Sequence, residues 1–244
     1  LFSSNPNPNP NPNRPCNPHP LPTHLPGHYC RGNVRGAGTL PNVCPRGHYC
    51  PEGAAEPTPC QSGRYGNATG LASSVCSGAC RAGSFCAEGA LAPLPCSRGT
   101  YSTRTDLSSA DQCTDAQPGY YATTGSTQQT PCSRGTIQPE PKMGSCERCS
   151  AGTFQEAEGQ QTCQTCPAGF YCPEGASAAL PCEGGTFSSQ TGAQSIEDCT
   201  ACPAGTFCFA GSTTPINCSK GTYAASERSQ LCDACPEGKY QGAE

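Results

Sequence analysis

One short pattern returns twelve times in this chain: a start residue, glycine three places on, and an aromatic or Ile five places on. The starts are Cys44, Cys60, Cys80, Cys96, Ala116, Cys132, Cys149, Cys166, Cys182, Cys202, Cys218 and Cys235. Every start is followed by glycine at +3, from Gly47 to Gly238. Eleven of the twelve have Tyr or Phe at +5, with Ile137 the exception, and eleven begin with Cys. A tandem array of small units in which cysteine is the fixed point constrains the architecture before any other feature is considered.

The chain cannot build one large core around that array. It has 23 Cys, 29 Gly, 26 Pro, one Met and no Trp in 244 residues, and its hydrophobic fraction is 34% with the cysteines counted. Such a composition marks a disulfide scaffold and an oxidising compartment, secreted or on a cell surface. A net charge of −4 with 13% charged residues supplies no basic field for nucleic acid and no polybasic membrane patch. No apolar run of spanning length occurs, so no membrane insertion is expected within this stretch. No signal peptide is visible at Leu1, which reads as a processed chain or an excerpt.

Residues 1–26 differ from the rest. Asn5 to Pro12 reads NPNPNPNP. Proline fixes φ and pushes its predecessor to extended geometry, so the segment is expected to be polyproline-II-like and to hold one conformation.

From Cys44 the repeats come in two lengths. Short repeats place a second Cys at +6: Cys44/Cys50, Cys80/Cys86, Cys166/Cys172 and Cys202/Cys208. Long repeats place it at +14 to +17: Cys60/Cys76, Cys96/Cys113, Cys132/Cys146, Cys149/Cys163, Cys182/Cys199 and Cys218/Cys232. At Ala116 a short repeat keeps Gly119 and Tyr121 but has Ala116 and Ala122 where the two cysteines belong. Loss of both together favours bonding within each repeat. At the N-terminal edge Gly27–Tyr29–Cys30 matches a short repeat, and Cys16 can replace its missing partner. Cys235 opens a repeat whose partner would lie past Glu244, so it is unpaired in this stretch; a free thiol is the rival reading. Sequential pairing is preferred throughout. Crossed pairing of first to third and second to fourth cysteine remains open.

The pattern has a physical rationale. Closing a loop of about 15 residues is worth roughly 3 kcal/mol, and such bonds in series replace a core that is too small. Glycine at +3 suits a positive-φ turn or a close backbone approach. The +5 side chain follows in an extended segment and is expected to shield the disulfide of its own repeat. Counting Tyr29, twelve of the sixteen aromatics take that place. The fold class that follows is small disulfide-rich tandem repeats, an elongated rod of short β-hairpins and turns with almost no helix. The expected divisions are an extended Pro/Asn-rich segment (1–26), a degenerate first repeat stapled by Cys16–Cys30 (27–43), then repeats at 44–79, 80–115, 116–148, 149–165, 166–201, 202–234 and a truncated 235–244.

The run CPAGFYCPEGASAALPCEGGTFSSQTGAQSIEDCTACPAGTFC, Cys166 to Cys208, resembles the ephrin-receptor-like cysteine-rich repeat of the growth-factor-receptor cysteine-rich group. Its CPxGxYC and PCxxGTF elements carry the likeness, which extends over about residues 44–244. The Ala116 repeat departs from it. Such arrays occur in large surface proteins of algae and protists, and proline-rich segments beside them resemble algal extracellular fibre proteins, including mastigonemes. That resemblance implies a structural glycoprotein.

Several constellations imitate chemistry. Cys146-x2-Cys149 and Cys163-x2-Cys166 have zinc-hook spacing, repeated at Cys199/Cys202 and Cys232/Cys235. Each of these joins the last Cys of one repeat to the first of the next, so it is read as punctuation. His19, His24, His28 and His48 are read as loop histidines, and the carboxylate pairs Glu156/Glu158 and Glu197/Asp198 as solvated. No metal, cofactor or catalytic group is expected. Covalent glycans are: Asn67-Ala68-Thr69 and Asn217-Cys218-Ser219 are N-glycan acceptors, and Pro6, Pro8, Pro10 and Pro12 resemble substrates for hydroxylation and O-glycosylation.

The sequence therefore points to an extracellular, non-enzymatic structural glycoprotein, part of a filament or of a cell-surface or flagellar coat. Its expected partners are copies of itself or other coat proteins. The alternative is the ectodomain stalk of a receptor or adhesin that binds a protein or glycan. A compact globule of this length would have a radius of gyration of ~18 Å. Small-angle scattering is expected to give a value well above that, and a compact value would remove the rod.

Overall fold

The computed structural model describes residues 25–30 and 41–239. The expected Cys16–Cys30 bond, the proline segment, His19 and His24 therefore lie wholly or partly outside the described residues.

The described chain consists of twelve two-stranded antiparallel hairpins, each strand two residues long. Among the described residues there is no α-helix, only 3-10 turns at Ala110–Gln112 and Ile196–Asp198. The register is the same in every hairpin. The residues at +4 and +5 of one repeat pair with the two that precede the next start. Phe170–Tyr171 thus pairs with Leu180–Pro181, as Phe170↔Pro181 and Tyr171↔Leu180. Each hairpin straddles a repeat boundary, and the dipeptides inside the CxxC sequences are second strands: Glu147–Arg148, Gln164–Thr165, Thr200–Ala201 and Asp233–Ala234.

A two-stranded hairpin is marginal by itself, and here each is hydrogen-bonded to the next. The +3 glycine is the hub. Its N–H donates to the carbonyl at +6 of the following repeat, and its carbonyl accepts from the N–H of that repeat's start. Gly135 N–H reaches Gln155 O at 2.7 Å, and Cys149 N–H reaches Gly135 O at 2.9 Å. The +6 N–H continues to the repeat after its own, as Cys172 to Ala193 O at 2.9 Å. A fourth bond returns from nine or ten places into the next repeat to the start carbonyl, as Gly175 N–H to Cys149 O at 2.7 Å. The donor of this return bond has positive φ. Glycine usually supplies it, but Asp106, Lys142 and Arg228 do so with φ of 62°, 62° and 61°, a conformation uncommon for such residues.

By these contacts the chain divides into two compact bodies. One is the described part of Leu1–Asp115 with Thr123–Gln128; the other is Ala116–Ala122 with the described part of Gln129–Glu244. Within each body every repeat bonds to its sequence neighbours, the nearest-neighbour arrangement of repeat proteins.

The buried positions follow the same register. The core residues are mostly cysteines, and the +6 slot is closed to solvent whatever fills it: Cys in short repeats, and in long ones Ser102, Gln138, Gln155, Ser188 or Ala224. Ala116 and Ala122 sit at 0% exposure in the slots that cysteines occupy elsewhere. The +5 aromatics are half-buried. One expectation is corrected here. In the cluster formed by Cys166, Cys172 and Ala176, the rings packed against it are Phe154, the +5 residue of the preceding repeat, and Phe170, the +4 residue of the same repeat, rather than the +5 residue Tyr171. An aromatic at +5 is projected forward because its strand leads into the next repeat, and Phe154 makes a backbone bridge with Ala176 there.

The +3 glycine serves two purposes that can be separated. A Cβ on Gly135 would collide with the backbone carbonyl of Gly175, two repeats on, whereas a Cβ on Gly192, a glycine of the return bond, would come no nearer than 3.9 Å, to Thr165 Cγ2. Both have positive φ, 79° and 80°. Gly192→Ala is expected to cost about 1 kcal/mol of local opening free energy. Gly135→Ala adds a rigid clash and is expected to cost roughly 3 kcal/mol, both read by native-state amide exchange. Equal costs would show that close stacking does not constrain this glycine.

Candidate functional site

The sequence offers no cleft chemistry, so the site that matters is the ladder of disulfides and the loops it closes. The structure joins Cys44–Cys50, Cys60–Cys76, Cys80–Cys86, Cys96–Cys113, Cys132–Cys146, Cys149–Cys163, Cys166–Cys172, Cys182–Cys199, Cys202–Cys208 and Cys218–Cys232. Their Cα atoms are 5.7–6.2 Å apart, within the span a disulfide bridges. Cys30 is disulfide-bonded as well. Cys235 is a free, half-buried thiol.

The two repeat lengths place their bonds differently. In short repeats both cysteines have 0% exposure, and the bond lies inside the stack. In long repeats the first cysteine is buried, while of the six second cysteines Cys76, Cys113, Cys146, Cys163 and Cys232 are half-exposed and Cys199 is buried. There the bond runs from the stack to a lateral loop.

Those loops carry polar anchors that the sequence pattern did not reveal. In two of the three loops that span 14 residues, a buried glutamine at +6 holds the loop; in the third, closed by Cys218–Cys232, the slot is Ala224. The Gln155 side-chain amide donates to Thr162 O at 2.8 Å and accepts from Ala157 N–H at 3.0 Å. Gln138 does the same with Ser145 O and Glu140 N–H at 2.8 and 3.1 Å. Where the span is 17 residues, Ser102 and Ser188 take the slot and donate to Arg104 O and Gln190 O, each at 3.2 Å. Buried polar groups are tolerated because they are bonded, and among the described residues no buried side-chain polar atom lacks a partner. Threonine at +4 has a comparable task. Its hydroxyl donates to the carbonyl three residues back, as in Thr136 to Ser133 and Thr186 to Glu183, both 2.7 Å. The signal for all of these was the fixed offset from the start residue.

The candidate metal residues are not brought together. His28 and His48 have ring Nδ1 atoms 3.4 and 3.2 Å from the carbonyls of Pro26 and Arg46. No metal-binding group of three or more His, Cys, Asp or Glu occurs among the described residues. The sulfurs of the CxxC sequences belong to separate disulfides, apart from Cys235. Asn67 is exposed, and so is Asn217, though Asn217 sits in a strand beside buried Cys218. Glu156 and Glu158 are exposed.

Glu197 and Asp198 are also exposed, but both ionise more readily than usual. Hydrogen bonding from the Ser195 side chain lowers Glu197. The backbone N–H groups of Gln194 and Ser195 lower Asp198, at 2.6 and 3.1 Å from its Oδ2. A depression of about 480 Å³ lined by Ser188, Gln190, Gly192, Gln194, Asp198 and Thr200 lies within this loop. Its lining offers one carboxylate, Asp198, among neutral polar groups.

A family model described as tyrosine-protein kinase ephrin type A/B receptor-like matches residues 141–180 and 152–199. Residues 141–199 are thus similar to ephrin-receptor-like cysteine-rich repeats. The hairpins and inter-repeat bonds inside that segment recur in the described repeats before and after it. No curated protein matches the chain. The family similarity and the disulfides point to an extracellular cysteine-rich domain. No helix among the described residues is long and apolar enough to cross a membrane.

The Asp198 loop has a neutral counterpart. Ser108 N–H donates to Gln112 Oε1 at 2.7 Å in the equivalent loop. A carboxylate whose folded pKa is depressed contributes stability above its unfolded pKa and loses it as pH falls through the folded value. Acidification is therefore expected to accelerate amide exchange at Gln194 and Ser195, beyond the intrinsic pH effect, while leaving Ser108 unchanged. Parallel behaviour at the three amides would refute the role of Asp198.

Proposed function

We propose that this protein is a structural extracellular glycoprotein, a disulfide-stapled repeat array that forms part of a filament or a cell-surface or flagellar coat. The observation that carries the reading is the recurrence of one backbone bonding scheme from repeat to repeat within each body. An enzyme or receptor concentrates distinct residues at one place, whereas here every repeat spends its conserved-offset residues on the same joint.

The mechanism is mechanical. Load along the chain falls first on the backbone bonds at the +3 glycines. If they open, the disulfides limit what is released. A loop of 14 to 17 residues would otherwise reel out roughly 45–55 Å at full extension. Rings such as Phe154 limit solvent access to the buried bonds. The proline segment and attached sugars mediate contact between copies. N-glycans at Asn67 and Asn217 and hydroxylated, O-glycosylated Pro6, Pro8, Pro10 and Pro12 belong to this proposal, as do partners that are copies of the chain or other coat proteins. No cofactor is required.

Electron microscopy of native material with the chain immunolabelled tests the function. Labelling periodically along extracellular filaments or a coat is the expected result. Recovery as an isolated membrane-bound ectodomain in complex with a soluble partner would overturn it in favour of the receptor-stalk reading.

A further inference from the structure

Tyr65 differs from the other residues at its position. In eleven of the twelve hairpins the +5 residue faces a cross-strand partner with a side chain beyond Cβ, among them Leu94 opposite Phe85, Thr130 opposite Tyr121 and Ile216 opposite Phe207. Opposite Tyr65 stands Gly78. A Cβ built on Gly78 would meet nothing within 4 Å, and the glycine has a φ of 140°, which discourages a side chain there. The half-buried Tyr65 ring therefore lacks the cross-strand side chain that its counterparts have.

The residue two places on is Asn67, exposed and followed by Ala68 and Thr69, both exposed. Its side chain occupies the +7 position. What a +7 side chain can reach is shown at Phe207 and Phe209, the +5 and +7 residues of their repeat, whose ring centroids lie 5.1 Å apart at 84°. The backbone at +6 is held alike in the two repeats. Gly66 O accepts from Gly47 N–H at 2.8 Å and Gly66 N–H donates to Ala90 O at 2.9 Å. Cys208 O accepts from Gly185 N–H at 2.8 Å and Cys208 N–H donates to Ser229 O at 3.0 Å. Asn67 N–H is further fixed by Ser77 Oγ at 3.0 Å. A group attached to Asn67 thus starts beside the uncovered ring.

We propose that Asn67 carries an N-linked glycan whose innermost N-acetylhexosamine packs its C–H face on the Tyr65 ring, in the space left by Gly78. The inference rests on the glycoprotein reading above and assigns a structural task to that sugar. In the attachment, Asn67 Nδ2 bonds to the anomeric carbon of a lipid-pyrophosphate-linked oligosaccharide. The anomeric C–O bond breaks, the lipid pyrophosphate leaves with the electron pair, and the amide gives up one proton. The axial C–H groups of the sugar then meet the electron-rich face of the ring, on the side from which Phe209 approaches Phe207. Cover at this point protects the outer part of the loop closed by Cys60 and Cys76.

The test uses the full chain secreted from a host that attaches N-glycans. Peptide mapping reads occupancy of Asn67, and an endoglycosidase trims the glycan to one sugar. Sugar protons shifted upfield by the ring, with cross-peaks to Tyr65, are the expected result. Ser77 N–H, which donates to Tyr65 O at 2.8 Å, is expected to exchange roughly fivefold faster in Asn67→Gln than in the one-sugar form, a factor typical of an aromatic contact. That ratio is expected to fall to about one in a Tyr65→Leu background, where the contact is absent. An unmodified Asn67 would overturn both the glycan at this position and the packing. An occupied Asn67 with unshifted sugar protons, or an unchanged ratio in Tyr65→Leu, would overturn the packing alone. The proton shifts need no variant and decide the matter if Tyr65→Leu misfolds.

Discussion

The structure depends on the backbone of one residue, the glycine three places after each start. Its N–H and carbonyl both bond to the following repeat, as at Gly63, Gly135, Gly169 and Gly185, and its positive φ aims them there. A side chain at this point would meet the carbonyl of a repeat two places on, as at Gly47, Gly63 and Gly135. Backbone bonding between small hairpins needs close approach, and close approach needs the missing Cβ. The hairpins, the buried +6 slot and the forward projection of the +5 ring all follow from that junction.

The disulfides come second in this order, and the Ala116 repeat shows why. It has no cysteine pair, yet Gly119 N–H still reaches Gln138 O at 2.7 Å and Ala122 N–H still reaches Met143 O at 3.1 Å. Ala116 and Ala122 remain fully buried. A short-repeat disulfide fixes a slot that the backbone has already defined. A long-repeat disulfide does more, because it ties down a lateral loop that the stack does not hold, assisted by Gln138, Gln155 or a serine at the same offset. The entropy of a loop of this size, roughly 3 kcal/mol when closed, is the contribution a chain without a large core needs.

Much of this was legible in the residues. The periodic Cys, Gly and aromatic positions give the tandem hairpins and the low helix content, because glycine and cysteine offsets encode backbone geometry directly. The direction of the aromatics was not legible. Offset alone does not say whether Phe154 covers its own disulfide or the next, and the answer came from the register that places its strand against the start of the following repeat. The hairpins straddling repeat boundaries were hidden for the same reason: dipeptides such as Glu147–Arg148 look like linkers when their partner strand is unknown. The return bonds were obscured because Asp106, Lys142 and Arg228 adopt a conformation that glycine supplies elsewhere. Gln138 and Gln155 resemble surface residues in composition, and only the fixed +6 offset marks them as buried.

The proposed function rests on the same ordering. A scheme that spends its invariant positions on joints is suited to bearing load and presenting a surface, and the sequence features that vary, Asn67 and the proline segment, are those through which such an array would meet its surroundings. The most direct test of the account is site-resolved amide exchange in the Ala116 repeat compared with an intact short repeat. If backbone junctions organise the fold, Gly119 and Ala122 amides will be protected to the same degree as Gly169 and Cys172. Fast exchange at Gly119 and Ala122, with slow exchange confined to repeats that carry a short disulfide, would contradict it.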